Sequence, residues 1–165
     1  MERAAHHAAG ERAGVVAVVP CSKEKVWDLE PERGAVPAGK AYLSDFHKLT
    51  RRYAERRAAR TLILSAKHGF LDLDELVPGP YDVTFARPGD PVIGAAALAA
   101  QVREKGLERY EEVLVVCESD YEQRVRMAFA GLSSRIVAPL HGLDGIGEML
   151  RFLKATLGPS LSRRR

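Results

Sequence analysis

Four short segments are nearly continuous in apolar residues: Val15–Val19, Thr61–Leu64, Val113–Val116 and Ile136–Ala138. None alternates apolar and polar positions as a half-exposed strand does. Continuous runs of this length fit strands covered on both faces, as in a parallel sheet under helices. Between them the spacing turns helical. Lys40 to Arg57 sets Leu43, Phe46, Leu49 (or Thr50) and Tyr53 along one stripe. Asp90-Pro91 has the chemistry of a helix start, with Asp as cap and Pro in the first turn. The segment after it holds Ala95, Ala96, Ala97, Ala99 and Ala100, small enough to lie close on a sheet. Ser119 and Glu122 have capping-box spacing. A last helix is expected from about Asp144 to Leu157, ending at Gly158-Pro159.

Strands alternating with helices in this order predict a three-layer α/β/α fold with a mostly parallel central sheet of about four to five strands. One domain is expected at 14–158, with a flexible extension at 1–13 and a basic tail at 159–165. Two segments read as irregular, Trp27 to Gly39 and Phe70 to Pro88, the second with a short strand around Tyr81 to Phe85. Loops this long in a compact domain are often functional.

Composition narrows the class. The chain has 165 residues, 46% hydrophobic and 28% charged, enough for one core. No apolar run approaches the ~20 residues of a membrane span, and the first 13 residues lack the apolar stretch of a secretory signal. A cytoplasmic location with Cys21 and Cys117 as reduced thiols is the expectation. The net charge of +3 is mild and does not by itself call for a nucleic-acid partner. Positive charge gathers at Arg51, Arg52, Arg56 and Arg57 and again at Arg163–Arg165. No P-loop and no GxGxxG is present, so no cofactor is expected. Cys21, Cys117, His47, His68 and His141 all fall near one rim, but no CxxC or HxxxH spacing supports zinc, and no metal is expected.

Ligands of open parallel sheets bind beyond the carboxyl ends of the strands. Here all four ends carry chemistry: Pro20 to Lys25, Ser65 to Gly69, Cys117 to Tyr121, and Pro139 to Gly142. Cys21 is a candidate nucleophile, with Lys23, Lys25 and Lys67 near enough in the chain or sheet to favour a thiolate. A small buried residue at a tight turn is the equal alternative. Lys67 is placed as an anion partner, His68 as a proton carrier, and Gly69 as a position of positive φ or close approach. Lys40, Ser44 and His47 are spaced to share one helix face, with Tyr42 in its first turn, where backbone N–H groups favour an anion. Asp82 and Glu118 are acid candidates. Gly142 to Gly147 is a glycine-rich helix start able to approach a phosphate or base. Catalysis is thus expected of Cys21, Lys25, Lys67, His68, Asp82 and Glu118. Binding is expected of Ser22, Tyr42, Ser44, His47, Ser65, Gly69, Tyr81, Tyr121 and Gly142.

Several blocks resemble a family of bacterial and phage domains of unknown function, some labelled similar to the peroxide-stress protein YaaA. Its pattern is roughly PCSKKK, then LSAKHGLL, then PYDVT. The matching blocks here are Pro20–Lys25, Leu64–Leu71 and Tyr81–Thr84, with Pro139–Gly147 as a last block. A more distant similarity is to the catalytic region of archaeosine synthase. Pro20, Cys21 and Lys25 match the first half of its motif, and Tyr42, Ser44 and His47 resemble the second. Residues 26 to 41 interrupt the junction, and Tyr42 to Ser44 is one residue shorter. That resemblance implies a fold similar to uracil-DNA glycosylases and a nucleobase-like ligand. The expected protein is therefore an enzyme acting on a nucleobase, free or within a nucleoside or nucleic acid. One route is N-glycosidic cleavage, with Asp82 or Glu118 activating water and Lys67 and His68 stabilising the departing base. The other is covalent chemistry by Cys21, with Lys25 or His68 moving protons. Stacking on Tyr42 or Tyr121 suits either, and a base inside a duplex is flipped out first. Two alternatives stand beside these. One is a non-catalytic nucleic-acid-binding stress protein using the Arg51–Arg57 helix. The other is a small-molecule binding module. The sequence carries no oligomeric state.

Overall fold

A computed structural model describes residues 12–158, so the expectations for the two termini lie outside the described residues. The elements in order are β1 (Val15–Pro20), α1 (Val26–Leu29), β2 (Val36–Pro37), α2 (Ala38–Ala41), α3 (Asp45–Arg57), β3 (Arg60–Ser65), β4 (Gly69–Asp72) and β5 (Leu76–Val77). They continue with α4 (Ala95–Glu104), a 3-10 turn (Leu107–Arg109), β6 (Glu112–Val115), α5 (Ser119–Ala128), β7 (Arg135–Val137) and α6 (Gly145–Leu157).

The main sheet has the order β4-β3-β1-β6-β7. β3, β1, β6 and β7 run parallel, and β4 returns antiparallel to β3. All six positions of β1 are buried, as its continuous apolar run demands of the central strand. α3 packs on β1 and against α6, while α4 packs on β4 and against α5. The three-layer α/β/α architecture with a mostly parallel sheet is the one expected. From β1 the chain steps outward to β3 and β4, then crosses to the opposite side of β1 for β6 and β7. The order therefore reverses between β1 and β6, and at such a switch point the strand ends splay open into a crevice.

Several local expectations are corrected. The helix expected over Lys40 to Arg57 is broken at Tyr42–Ser44. Ser44 is extended and its hydroxyl accepts the His47 N–H at 3.1 Å, capping α3. Tyr42 meanwhile pairs with Lys25 as a β-bridge. Lys40, Ser44 and His47 consequently share no helix face. α4 starts at Ala95, not at Asp90-Pro91, because the Asp90 carboxylate accepts from the Thr84 N–H (2.9 Å) and from Arg87 (2.8 Å) instead. Leu98 and Val102 are its buried positions, and Ala95, Ala96, Ala97 and Ala100 face outward, where they serve helix propensity. Ser119 is already helical, and extended Glu118 occupies the cap position without a side-chain cap. Tyr81 to Phe85 forms no strand. The strands of that loop are β4 and β5, upstream, and β5 pairs with β2 in a small separate ribbon.

Candidate functional site

Chemistry gathers at the switch point. β1 ends at Pro20, and the Cys21 N–H bonds the Leu64 carbonyl at 3.1 Å, which fixes the residue beside β3. The Cys21 sulfur lies 3.2 Å from the Tyr121 hydroxyl, which arrives from α5 across the gap between β1 and β6. Burial holds the Tyr121 phenol well above its usual range, so it keeps its proton and can donate to sulfur. Lys25, only 5% exposed, is the second neighbour. Its ammonium donates to the Lys23 carbonyl at 3.2 Å and sits 4.5 Å above the Tyr81 ring. Burial depresses the Lys25 pKa, against the opposing pull of Cys21, Asp28 and Asp82.

Behind Cys21 runs a chain of hydroxyls. Tyr42 and Tyr81 approach to 2.6 Å, oxygen to oxygen, and Tyr81 and Ser65 to 2.8 Å. The Ser65 oxygen also accepts the N–H groups of Lys67 (3.2 Å) and His68 (3.0 Å). With both lone pairs engaged, Ser65 must donate to Tyr81, and Tyr81 in turn to Tyr42. Burial raises the pKa of both phenols, so the relay stays protonated. His47 lies beneath it, its ring 5.6 Å from that of Tyr42. Its Nδ1 lies 2.7 Å from the Pro20 carbonyl, an acceptor only, so Nδ1 bears the proton. Burial lowers its pKa to about 4, and the neutral ring leaves a buried, unpartnered Nε2. His47 thus positions the backbone immediately before Cys21.

The rim comes from the β3–β4 hairpin. Ser65 and Gly69 pair across a short turn, with Gly69 at φ +79°. Lys67 at its tip is exposed and reaches within 5.9 Å of the Tyr81 ring. The His68 ring meets Tyr81 edge-on at 5.2 Å, and burial together with Lys67 lowers its pKa. Gln101 of α4 clamps this turn, donating to the His68 carbonyl (2.9 Å) and accepting the Phe70 N–H (2.8 Å). The sequence reading missed Gln101. Its one signal was a polar residue on the inner stripe of an alanine-rich helix, beside Leu98 and Val102. Phe85 was also missed; it packs edge-on against Tyr121 at 5.0 Å.

The structure thus brings together Cys21, Lys25, Tyr42, His47, Ser65, Lys67, His68, Gly69, Tyr81 and Tyr121. Glu118 flanks them with a buried, unpartnered Oε1, and burial raises its pKa. Asp82 departs from expectation. Its side chain is 75% exposed and paired with Arg87 at 3.3 Å, facing solvent. Gly142 is exposed on the β7 side, next to His141, which meets the buried Glu122 at 2.8 Å. Ser22 bonds the Glu24 carbonyl at 2.7 Å and shapes the turn, as Ser44 shapes α3. The rings of Tyr42 and Tyr121 are buried, at 3% and 7% exposure, and leave no face for stacking; Tyr81 and His68 are the rim aromatics. Cys117 is buried with a raised pKa and points at the Val18 carbonyl. Among the described residues no three metal-ligating side chains cluster, and no helix is long and apolar enough to cross a membrane.

Comparison with known proteins gives relatives without an assigned activity. The uncharacterized protein YfjM of Bacillus subtilis (strain 168) is 43% identical over 136 residues, which cover 82% of this chain and 90% of that protein. The crystal structure of AF0587, a protein of unknown function, superposes with a TM-score of 0.42 at 14% identity, over 85% of this chain and 43% of that one. A family described as a family of unknown function, DUF6884, matches residues 16–155, and the chain belongs to that family.

Proposed function

We propose that the protein is an enzyme acting on a nucleobase, with Cys21 bonding covalently to an electrophilic ring carbon. The observation that supports this most is the Cys21 sulfur held 3.2 Å from a protonated phenol across the switch point, with the Lys25 ammonium over the Tyr81 ring at 4.5 Å. The sulfur attacks the carbon and forms a C–S bond. The displaced π pair moves onto a ring nitrogen, which takes a proton from Lys25. Return of the proton to Lys25 and cleavage of the C–S bond reverse the addition and release the sulfur. His68 and Tyr81 border the planar ligand, and Lys67 meets a carbonyl or anionic edge. N-glycosidic cleavage fits less well. Asp82 faces solvent against Arg87, which leaves this route without the acid that adjoins Tyr81.

The resemblance to archaeosine synthase fits the same reading. Lys25 and Tyr42, the residues on either side of the interruption, are bridge partners. Residues 26–41 therefore leave and return without separating the two halves. A free cysteine as nucleophile also suits a reducing cytoplasm, the location this reading proposes. The test is incubation with a panel of nucleosides and deazaguanine analogues, followed by mass spectrometry of protein and ligand. An adduct that maps to Cys21 and vanishes in Cys21→Ala is the expected result. Release of free base by Cys21→Ala at the wild-type rate overturns it.

A further inference from the structure

A cavity of about 410 Å³ opens beside α3, next to the Cys21 site, lined by Lys40, Tyr42, His47, Lys48, Arg51 and Arg52. Tyr42 belongs to both, since its hydroxyl enters the relay behind Cys21. Arg51 is held in place by the Gly39 carbonyl and by Glu55 at 3.0 Å. Lys40, Lys48 and Arg52 are exposed and make no ion pair among the described residues. One helical turn beyond Arg52 comes Arg56, also exposed. Arg56 and Arg57 line a second cavity of about 960 Å³ at the far end of the helix, with Arg12 and Arg135. Of the acids lining the two cavities, Glu55 pairs with Arg51 and Glu112 with Arg135, while Glu111 makes no ion pair among the described residues. Along the roughly 20 Å of a helix this long, at about 1.5 Å per residue, positive charge runs from the Tyr42 cavity to the far one.

We infer that α3 carries a track for the phosphate backbone of a single-stranded nucleic acid, bringing one of its bases to the Cys21 site. This rests on the nucleobase reading and narrows it to a base within a strand. One phosphate needs one cluster of cations, whereas Lys48, Arg52 and Arg56, exposed and in no ion pair among the described residues, are spread over about 12 Å of helix, room for more than one phosphate. A single strand also presents its bases without the unstacking and unpairing that a duplex requires.

The experiment is fluorescence anisotropy with a labelled single-stranded oligonucleotide, titrated from about 50 to 300 mM salt, where each phosphate contact adds about 0.7 to the slope of log K against log salt. Lys48→Ala/Arg52→Ala removes two exposed cations and leaves the fold intact by circular dichroism. The slope should then drop by about 1.4, with affinity at low salt weakened about tenfold or more. Cys21→Ala should bind as wild type does. An unchanged slope in the double variant overturns the inference. So does competition by a 5′-mononucleotide at the same concentration as the oligonucleotide, which marks a single-phosphate site. Failure of the adduct with the slope change intact counts against Cys21 chemistry alone. Adduct formation on free nucleosides with no slope change counts against the track alone.

Discussion

Gly69→Ala tests whether the hairpin tip is held as described. Gly69 sits at φ +79°, and a β-carbon there would lie 2.2 Å from Gln101 Oε1 and 2.7 Å from Ile93 Cδ1. The left-handed backbone costs a residue with a β-carbon about 1–2 kcal/mol. Gln101 must also leave, which strands the Phe70 N–H beneath a buried strand, for about 1–3 kcal/mol more. The sum, about 2–5 kcal/mol, is a large share of the roughly 5–15 kcal/mol of a typical domain. It corresponds to a Tm lower by roughly 5–15 °C. Gln101→Ala alone should cost about 1–3 kcal/mol by orphaning the same N–H. Because both changes break one clamp, the double variant should fall short of the sum by about 1–2 kcal/mol. Urea denaturation of both single variants and the double variant, followed by circular dichroism, gives all the terms. A Gly69→Ala cost under about 1 kcal/mol, or additivity within about 0.5 kcal/mol, refutes the clamp.

Other consequences can be measured on the same protein. The unfolded His47 imidazole takes a proton near pH 6.5 and the folded one only near 4, so stability should fall as pH drops through that window and level off below it. The loss is about 3 kcal/mol, and the pH slope should be up to one proton shallower in His47→Gln. Both thiols are buried, Cys21 at 9% exposure and Cys117 at 2%, so iodoacetamide should label the native protein slowly and at Cys21 first, with Cys117 reacting only after unfolding; labelling of Cys117 at the rate of Cys21 in the native state contradicts this order. Lys25→Met should slow that alkylation at neutral pH by roughly threefold to tenfold, the equivalent of about 1 kcal/mol of lost attraction. An unchanged rate removes Lys25 from the site. Arg60 holds Asp72 by two bonds of 2.8 and 2.9 Å and keeps its carboxyl below the usual range, so Arg60→Ala should cost about 1–3 kcal/mol near neutral pH. That difference should vanish as pH falls through the folded Asp72 pKa, and a constant difference in thermal melts would show that packing and not charge is lost.

Parts of this architecture are written in local pattern and parts are not. Val15–Val19 and Thr61–Leu64 fall within strands to a residue because burial on both faces leaves no polar position to blur them. β4 escaped because Phe70-Leu71 is too short a run to separate from a loop. Its pairing depends on Gly69 turning the chain, a consequence of φ that composition does not encode. The break at Tyr42–Ser44 was hidden for another reason. The helical period continues through it, and only the long-range pairing of Tyr42 with Lys25 competes it away. The gathering of Cys21, Lys67 and Tyr121 was legible from the rule that parallel strands end on one edge. Asp82 misled because it adjoins Tyr81. In extended chain successive side chains point opposite ways, so with Tyr81 turned inward Asp82 faces out. Gln101 showed only as a polar residue on the inner stripe of α4, and its partners, the His68 carbonyl and Phe70 N–H, are backbone groups that leave no mark in the sequence of that helix.

The two irregular segments support one another, and this explains how a site built largely on loops holds its geometry. Residues 26–41 leave after Lys25 and return at Tyr42, pinned at the neck by the bridge between those two and by the Leu43 N–H on the Glu24 carbonyl at 3.0 Å. Inside the excursion Trp27 is 3% exposed, and its indole N–H bonds the Arg33 carbonyl at 2.8 Å, so the segment has an anchor of its own. Its β2 then pairs with β5, Val36 opposite Val77, in the loop that delivers Tyr81 four residues later. Lys25, Tyr42 and Tyr81 are therefore fixed relative to one another through the β2–β5 ribbon as well as through their own contacts. A site that must keep a phenol, a second phenol and an ammonium within a few ångströms cannot rely on free loops, because ordering each residue costs about 1–2 kcal/mol of backbone entropy. Here that cost is met when the ribbon and the Trp27 anchor form, so the groups of the candidate site are in place in the free protein.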